Sequence, residues 1–555
     1  MKRGEINGVY AQTELGHGSF VRGVETTATW VEGDSKWGSG FVITSPTVTS
    51  TKFWPGGMGF SGTHAVVMAQ LVIRGVGYGV HAFVVELRDR ETGKAMPGIE
   101  LGDLGGKMSY NQNDNGYARF EGVRIPRGNM LMGLVEVTEK GEYKRREGVH
   151  KKAEYGGMLV GRANIPRACA MQLAAAVTIA TRYSTVRQQG YSPFAAGESS
   201  TPAGETAIFR YRSQHFQLLV QLSKAYAILF ASRHGEKAFQ KFISQQHRQD
   251  FSTMTETHIL LSGIKAWATT TASEGAEDAR KTCGGSGYLI ISGLPEIVQS
   301  VTVLCTVEGE NSVLWQQVAR YLVKWAPKLS GPSSVSHIPE DLSYLAAPTN
   351  EACTARDIDF LDPSIQLSIF QQGSQRLIAK ASQMLQKSLL DSVPPVQAWD
   401  RHVMLLISMA RTHIEYIVLR SFIDITEAMS GSPEKTVMRR VRSLFALSTI
   451  VDSTSPLANT LLEGRFLSEA QVDDIRAQIN NLLDALVPDA IGLTDAWDFT
   501  DAGLASAIGM RNGDVYTMLM SWTRQLPINV AERETPEVEM KRWEEYIKPA
   551  LRSRL

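Results

Sequence analysis

Two carboxylates, Glu308 and Glu310, stand in the stretch CTVEGENSV (305–313). A carboxylate on a loop beside a helix N-terminus suits a general base, because the helix end favours negative charge and the loop leaves it accessible. Glu308 precedes a helical pattern that Asn311 or Ser312 could cap. Glu310 is the rival base, and reads more readily as a first-turn acid favoured by the helix dipole. On residue type alone Glu308 would be a solvated loop acid. Other chemistries fall away. GHGSFVRG (16–23) and RGVGYGV (74–80) lack the third glycine of a dinucleotide fingerprint and lie outside any strand–helix unit. There is no phosphate-loop or nucleophile-elbow motif, and the eleven histidines are scattered. Cys169, Cys283, Cys305 and Cys353 include no C-x-x-C pair, so no zinc set or secretory disulfide framework is expected.

The elements that must hold these residues change texture near residue 150. Residues 10 to about 132 are rich in Gly, Thr and Val. GFVITSPTVTSTKFW (40–54), HAVVMAQLVIRG (64–75) and HAFVVELRD (81–89) read as short strands between turns, which predicts an all-β barrel or sandwich. After about Ala153 the period becomes helical, with helices predicted over 167–189, 207–232, 252–281 and 311–325. The Pro-, Ser- and Gly-rich segment 327–349 reads as a linker. Beyond it, 364–390, 397–430, 434–450, 468–486 and 514–525 read as a second bundle. The domains are therefore expected at 1–150 (β), 151–326 (first bundle), 327–357 (linker) and 358–555 (second bundle).

The chain has 555 residues, with 57 Lys plus Arg against 57 Asp plus Glu. A balanced charge argues against nucleic-acid binding, which needs a basic footprint. The N-terminus has no apolar stretch behind its basic residues, and the apolar runs, such as that within 171–180, are interrupted short of a membrane span. A soluble, intracellular protein is expected. The chain ends in Ser553-Arg554-Leu555, which keeps the small–basic–Leu chemistry of a peroxisomal address.

Taken together, YAQTELGHGS (10–19), RGVETTATW (22–30), SPTVTSTKFWPGGMG (45–59), HAFVVELR (81–88), DNGYARFEGVRIPRGNMLM (114–132), RYSTVRQQ (182–189), CGGSGY (283–288) and TVEGENSV (306–313) resemble the peroxisomal acyl-CoA oxidases of the acyl-CoA dehydrogenase superfamily. Nearly the whole chain is covered, most weakly in the second bundle. The resemblance implies a multidomain α+β fold, with a central β-barrel-like domain followed by two α-helical bundles. It implies FAD-dependent oxidation of a fatty acyl-CoA to trans-2-enoyl-CoA, with O2 reduced to H2O2. It places the proton-abstracting base at Glu308, flavin contacts at Thr13 and Gly56, and cofactor phosphate or adenosine contacts at Arg187, Gly284 and Gly285. Relatives usually carry His where Ser286 stands.

The resemblance further implies a homodimer, peroxisomal localisation and recognition of the last three residues by an import receptor. Relatives carry a helical domain of one hundred or more residues before the YAQTE strand, most of which this chain is expected to lack. A truncated gene model, a non-catalytic subunit partnering a full-length oxidase and a degenerate protein are the readings of that difference, and the intact motifs favour the first. A dehydrogenase with a protein electron acceptor and an oxidase of a specialised pathway are the alternatives within enzymes.

Overall fold

The computed structural model describes residues 4–34, 38–146, 158–191, 204–330, 338–534, 537, 540, 541 and 543–552. Contacts divide the chain into two compact units, Met1–Met158 with Phe242–Thr253, and Leu159–Lys241 with Met254–Leu555.

The first unit is built on β-sheet. Strands β1 (Gly8–Ala11), β2 (Thr27–Asp34), β3 (Gly38–Thr44), β5 (His64–Ile73), β6 (Val76–Glu86) and β9 (Val123–Pro126) form a six-stranded sheet. Strand β5 is its spine. It pairs in parallel with β1 and β2 and antiparallel with β6. A three-stranded sheet, β4 (Lys52–Phe53), β8 (Gly116–Phe120) and β7 (Ile99–Asp103), shares its core. The strand expected within residues 64–75 forms as β5, with every second side chain buried and the others half-buried. Of the glycines at 74–80, Gly75 has a turn's purpose, while Gly77 and Gly79 lie within β6. Ile73 pairs with Val76, and the two residues between them, Arg74 and Gly75, have φ of 50° and 79°, which is the left-handed pair of a tight hairpin.

The second unit is helical, and the helices that follow belong to it apart from Met158 and Phe242–Gln246, which fall in the first. Its long elements are α1 (Met158–Val186), α2 (Arg212–Gln246), α3 (Met254–Thr282), α4 (Leu294–Thr302), α5 (Asn311–Ser330), α6 (Pro363–Leu390), α7 (Pro395–Ala428), α8 (Pro433–Val451), α9 (Pro456–Glu463) and α10 (Glu469–Leu486). Short helices α11 (Ala490–Asp495) and α12 (Asp501–Leu504) precede α13 (Val515–Gln525). The helices expected over 364–390 and 468–486 form as α6 and α10, and capping side chains mark where each begins. Asp362 caps α6 ahead of a first-turn proline, and Ser468 with Gln471 forms a reciprocal capping box on α10.

Three expectations are modified. Helices from both expected bundles contribute to one continuous hydrophobic core that runs from Cys169 to Val515. The described parts of the expected linker pack into it. Residues 327–330 continue α5, and the 3-10 segment Glu340–Ala346 buries Leu342 and Tyr344. Helix α7 is long and apolar enough to cross a membrane by length and composition, yet 61% of its most apolar window is buried within the protein. The C-terminal Ser553-Arg554-Leu555 lies outside the described residues.

Candidate active site

Glu308 sits on the turn between the 3-10 segment Val303–Cys305 and α5. Its φ is 56° and that of Gly309 is 107°, so two consecutive residues occupy the left-handed half of backbone space. For glutamate this conformation is unfavourable, and it persists only where the surroundings impose it. Two buried cations do so. Arg162 Nε, from α1, donates to the Glu308 carbonyl at 2.9 Å, and Lys265 Nζ, from α3, donates to the Gly309 carbonyl at 2.7 Å.

The Glu308 side chain is exposed and makes no hydrogen bond or ion pair among the described residues. It lies against Gly161. A methyl group built on that glycine would come within 2.6 Å of Glu308 Cδ. The absence of a side chain at 161 is therefore what lets the carboxylate rest there.

The arginine is itself fixed. Its Nη1 lies 3.4 Å from His258 Nδ1 and 3.3 Å from Ser262 Oγ. Burial, reinforced by the neighbouring guanidinium, pulls the His258 pKa down to about 4. The ring is therefore neutral at physiological pH, with Nδ1 accepting from Arg162 and Nε2 donating to Gln317 Oε1 at 3.0 Å.

The start of α5 differs from expectation. Neither Asn311 nor Ser312 caps it. The Glu310 carboxylate accepts from the backbone N–H groups of Ser312 and Val313, at 3.0 and 3.1 Å. The Asn311 amide is drawn inward instead, to the hydroxyls of Thr269 and Thr270 and the carbonyl of Ala266. Glu310 is thus occupied as a helix cap, which separates it in role from Glu308.

A second cluster lies elsewhere in the same unit. Arg187, Gly284 and Gly285 line one cleft of about 830 Å³, together with Tyr183, Gln214 and Lys281. A Cβ on Gly284 or Gly285 would meet no atom within 4 Å, so these glycines leave open space along the cleft wall. Gly284 also has φ of 55°, a backbone state that favours glycine. Gly287 is different in purpose, since its Cβ would lie 2.3 Å from the Arg280 carbonyl at the end of α3. Ser286 accepts from the Tyr183 hydroxyl at 3.1 Å, which ties the glycine loop to α1.

The two arginines of RYSTVRQQ part company. Arg182 is buried and bonds Asp495 and the Gly509 carbonyl, whereas Arg187 is half-buried on the cleft and its pKa is raised chiefly by a hydrogen bond with Tyr516. An open cleft walled by two side-chain-free residues and rimmed by Arg187 and Lys281 fits a diphosphate-bearing nucleotide such as the adenosine half of FAD.

Thr13 and Gly56 belong to the first unit. Thr13 lies two residues beyond β1 and accepts from Phe53 N–H through its carbonyl at 3.0 Å. Beneath it, Lys52 Nζ donates to the Gln12 carbonyl at 3.2 Å and to Glu14 Oε1 at 2.9 Å. Gly56 is exposed, and a Cβ there would approach only Asn115 Nδ2, at 3.9 Å. The backbone demand for glycine in this turn falls on Gly57, with φ of 80°.

Arg162, His258 and Lys265 were not legible as site residues. The one local signal, for Arg162 and Lys265, is a charge inside an apolar stretch, as in ILLSGIKAWA (259–268), which marks a buried cation without saying what it holds.

The chain is similar to known proteins along almost all of its length. Residues 155–323 match the family model "Acyl-CoA oxidase, C-alpha1 domain", and residues 362–552 match "Acyl-CoA oxidase". The chain is 37% identical over 556 residues to peroxisomal acyl-coenzyme A oxidase 2 of Rattus norvegicus, covering 99% of this chain and 78% of that protein. It is 36% identical over 555 residues to peroxisomal acyl-coenzyme A oxidase 1 of Cavia porcellus, covering 99% and 80%. Among solved structures, Arabidopsis thaliana acyl-CoA oxidase 1 superposes with a TM-score of 0.89 at 33% identity, covering 100% of this chain and 81% of that one. Caenorhabditis elegans acyl-CoA oxidase-1, complexed with FAD and ATP, superposes with a TM-score of 0.88 at 33% identity, covering 99% and 78%. With both helical segments matched by family models and relatives aligned along almost its full length, the chain belongs to the acyl-CoA oxidase family.

Proposed function

We propose that the protein oxidises a fatty acyl-CoA to the trans-2-enoyl-CoA, with FAD as its redox cofactor and O2 as its electron acceptor. The observation that carries this reading is Glu308. It is a carboxylate presented on a left-handed turn, gripped through the backbone and left without a side-chain partner among the described residues.

Desaturation removes a proton from the α carbon and a hydride from the β carbon. Glu308 accepts the proton. A bound flavin would supply the hydride acceptor that no side chain offers, and the hydride and proton taken from the substrate together account for the two hydrogens of H2O2. Arg162 and the surrounding turn keep the carboxylate in place. Arg187, Gly284 and Gly285 would hold the cofactor's diphosphate and adenosine, and Thr13 and Gly56 would face its ring. Residues 1–150 contribute flavin and acyl-CoA contacts in this assignment, 151–326 carry the base, 327–357 connect, and 358–555 form the second helical region.

The family's peroxisomal relatives and the Ser553-Arg554-Leu555 end support import into peroxisomes through a receptor, and a homodimer is what the family resemblance implies. In air, the purified protein with a long-chain acyl-CoA should form one H2O2 per enoyl-CoA without any added acceptor. Enoyl-CoA formed only when an artificial electron acceptor is supplied would instead favour a dehydrogenase. A fluorescent fusion should lose its punctate distribution when the last three residues are deleted.

A further inference from the structure

We infer that Lys265 is a positioning residue for proton abstraction, its buried ammonium fixing the turn that presents Glu308. The inference rests on the reading of Glu308 as the base.

Lys265 is wholly inaccessible to solvent, and its neighbours along α3, Ile264, Ala266, Trp267 and Ala268, are buried too. Placing an ammonium in such surroundings is costly unless a charge or several dipoles compensate it. No carboxylate forms a salt bridge with it among the described residues. Its compensation is two oxygens belonging to one short segment, the Gly309 carbonyl at 2.7 Å and Asn311 Oδ1 at 3.1 Å. That segment begins one residue after Glu308.

The two cations act on successive carbonyls, Arg162 on residue 308 and Lys265 on residue 309, in the only part of the turn with consecutive positive φ. Asn311 completes the clamp, because the amide that accepts from Lys265 also donates to Thr269 and Thr270 on α3. Serving the packing alone, the site would be filled as well by methionine. A donor is required to hold a main-chain oxygen in a strained turn.

The groups facing the ammonium are Cys169 and Arg162 from α1, Cys305 from the segment before the turn, and Glu310 and Asn311 after it. Burial holds the Cys169 thiol at about 12 and raises that of Cys305, so both stay neutral through the physiological range. Burial lowers the Lys265 pKa to about 8. The charged grip is therefore complete below that pH and weakens as pH rises through it.

The test compares FAD-loaded wild type, K265M and K265Q by anaerobic flavin bleaching with a long-chain acyl-CoA between pH 6.5 and 9.5, and by hydrogen exchange of the peptide around 303–314. The wild-type bleaching rate should fall on the alkaline side with a midpoint near 8. K265M should bleach roughly tenfold or more slowly at pH 7, with unchanged acyl-CoA affinity and no alkaline fall, as expected for a misplaced base. K265Q, keeping a donor without the charge, should lie between them. In K265M, exchange should quicken in the turn and the first turn of α5 while the middle of α6 is unchanged.

Wild-type rate and wild-type exchange in K265M would overturn the inference. So would a variant slowed by the same factor at every pH, which marks a merely structural role. Should K265M fail to fold, a K265Q profile that parallels the wild type would be contrary. A wild type that never bleaches would sink the base assignment, and exchange would still decide whether Lys265 holds the turn.

Discussion

Arg162 takes hold of Glu308 by its main-chain oxygen, with Nε 2.9 Å away, and forms no salt bridge with its carboxylate. The distinction matters for a base. An arginine paired to the carboxylate would stabilise its charged form and oppose proton uptake. A bond to the carbonyl fixes where the residue is and leaves its oxygens available. Burial pulls the Arg162 pKa down against the nearby Glu308 charge, and the guanidinium keeps its proton throughout.

Gly161 is the sharpest test of this placement. A methyl there would stand 2.6 Å from Glu308 Cδ, the mobile end of a side chain, so the carboxylate would swing aside and the fold would be spared. G161A should lower kcat by about 10- to 100-fold, in line with the cost of ångström-scale misplacement, with the melting temperature nearly unchanged. Steady-state kinetics and a thermal melt check both halves.

Gly285 tests the cleft without disturbing the protein around it. No atom lies within 4 Å of its would-be Cβ, and its φ is not positive. G285V should therefore be neutral for stability, within about 0.5 kcal/mol, while FAD binding weakens by about tenfold or more. Flavin fluorescence titration of the apoprotein reads the affinity. Unaltered binding would remove this loop from the cofactor site.

Lys52 and Glu14 form a fully buried pair in the first unit, 2.9 Å apart, with Glu14 also accepting from Thr26 Oγ1 at 2.6 Å. Burial alone would raise the Glu14 pKa, yet Lys52 and the Thr26 and Glu25 donors outweigh it and hold the carboxyl below its ordinary range. K52M leaves that charge unpaired and should destabilise the unit by about 3–5 kcal/mol, read by denaturant unfolding. Because the lysine also holds the Gln12 carbonyl beside Thr13, flavin content should fall in the same variant.

Glu427 gives a pH signature. Hydrogen bonds from Arg439, and also from Arg442, outweigh desolvation and lower its pKa from 4.5 to about 2. A carboxylate depressed in the folded state stabilises fully above its unfolded pKa and loses that contribution as pH falls through the folded one. The melting-temperature gap between wild type and E427Q should thus be constant from pH 7 to about 5, then close as pH approaches about 2. A gap that persisted at the acid end would contradict the assignment.

How much of this could be read in advance depended on whether the cause was local. Strand β5 and helices α6 and α10 are written in neighbouring residues, so they were legible as elements. The cap of α5 was misread because Asn and Ser are good caps by propensity, while the Asn311 amide is claimed by α3 through tertiary packing. Helix α2 runs on to Gln246, beyond the expected 232, since EKAFQKFISQQ still offers apolar positions at helical spacing. Glu308 was singled out by the family resemblance of TVEGENSV, since its residue type alone reads as a solvated loop acid. Arg162 and Lys265, 146 and 44 residues from the carbonyls they hold, carry no pattern linking them to it.

The most direct test of the account is the visible spectrum of the purified, FAD-reconstituted protein before and after a long-chain acyl-CoA is added without oxygen. The flavin absorbance should bleach, and E308Q should retain its flavin and bleach at least about 100-fold more slowly, the range for loss of a general base. A wild type that binds flavin but never bleaches, or an E308Q that bleaches at the wild-type rate, would contradict the assignment of Glu308 as the base.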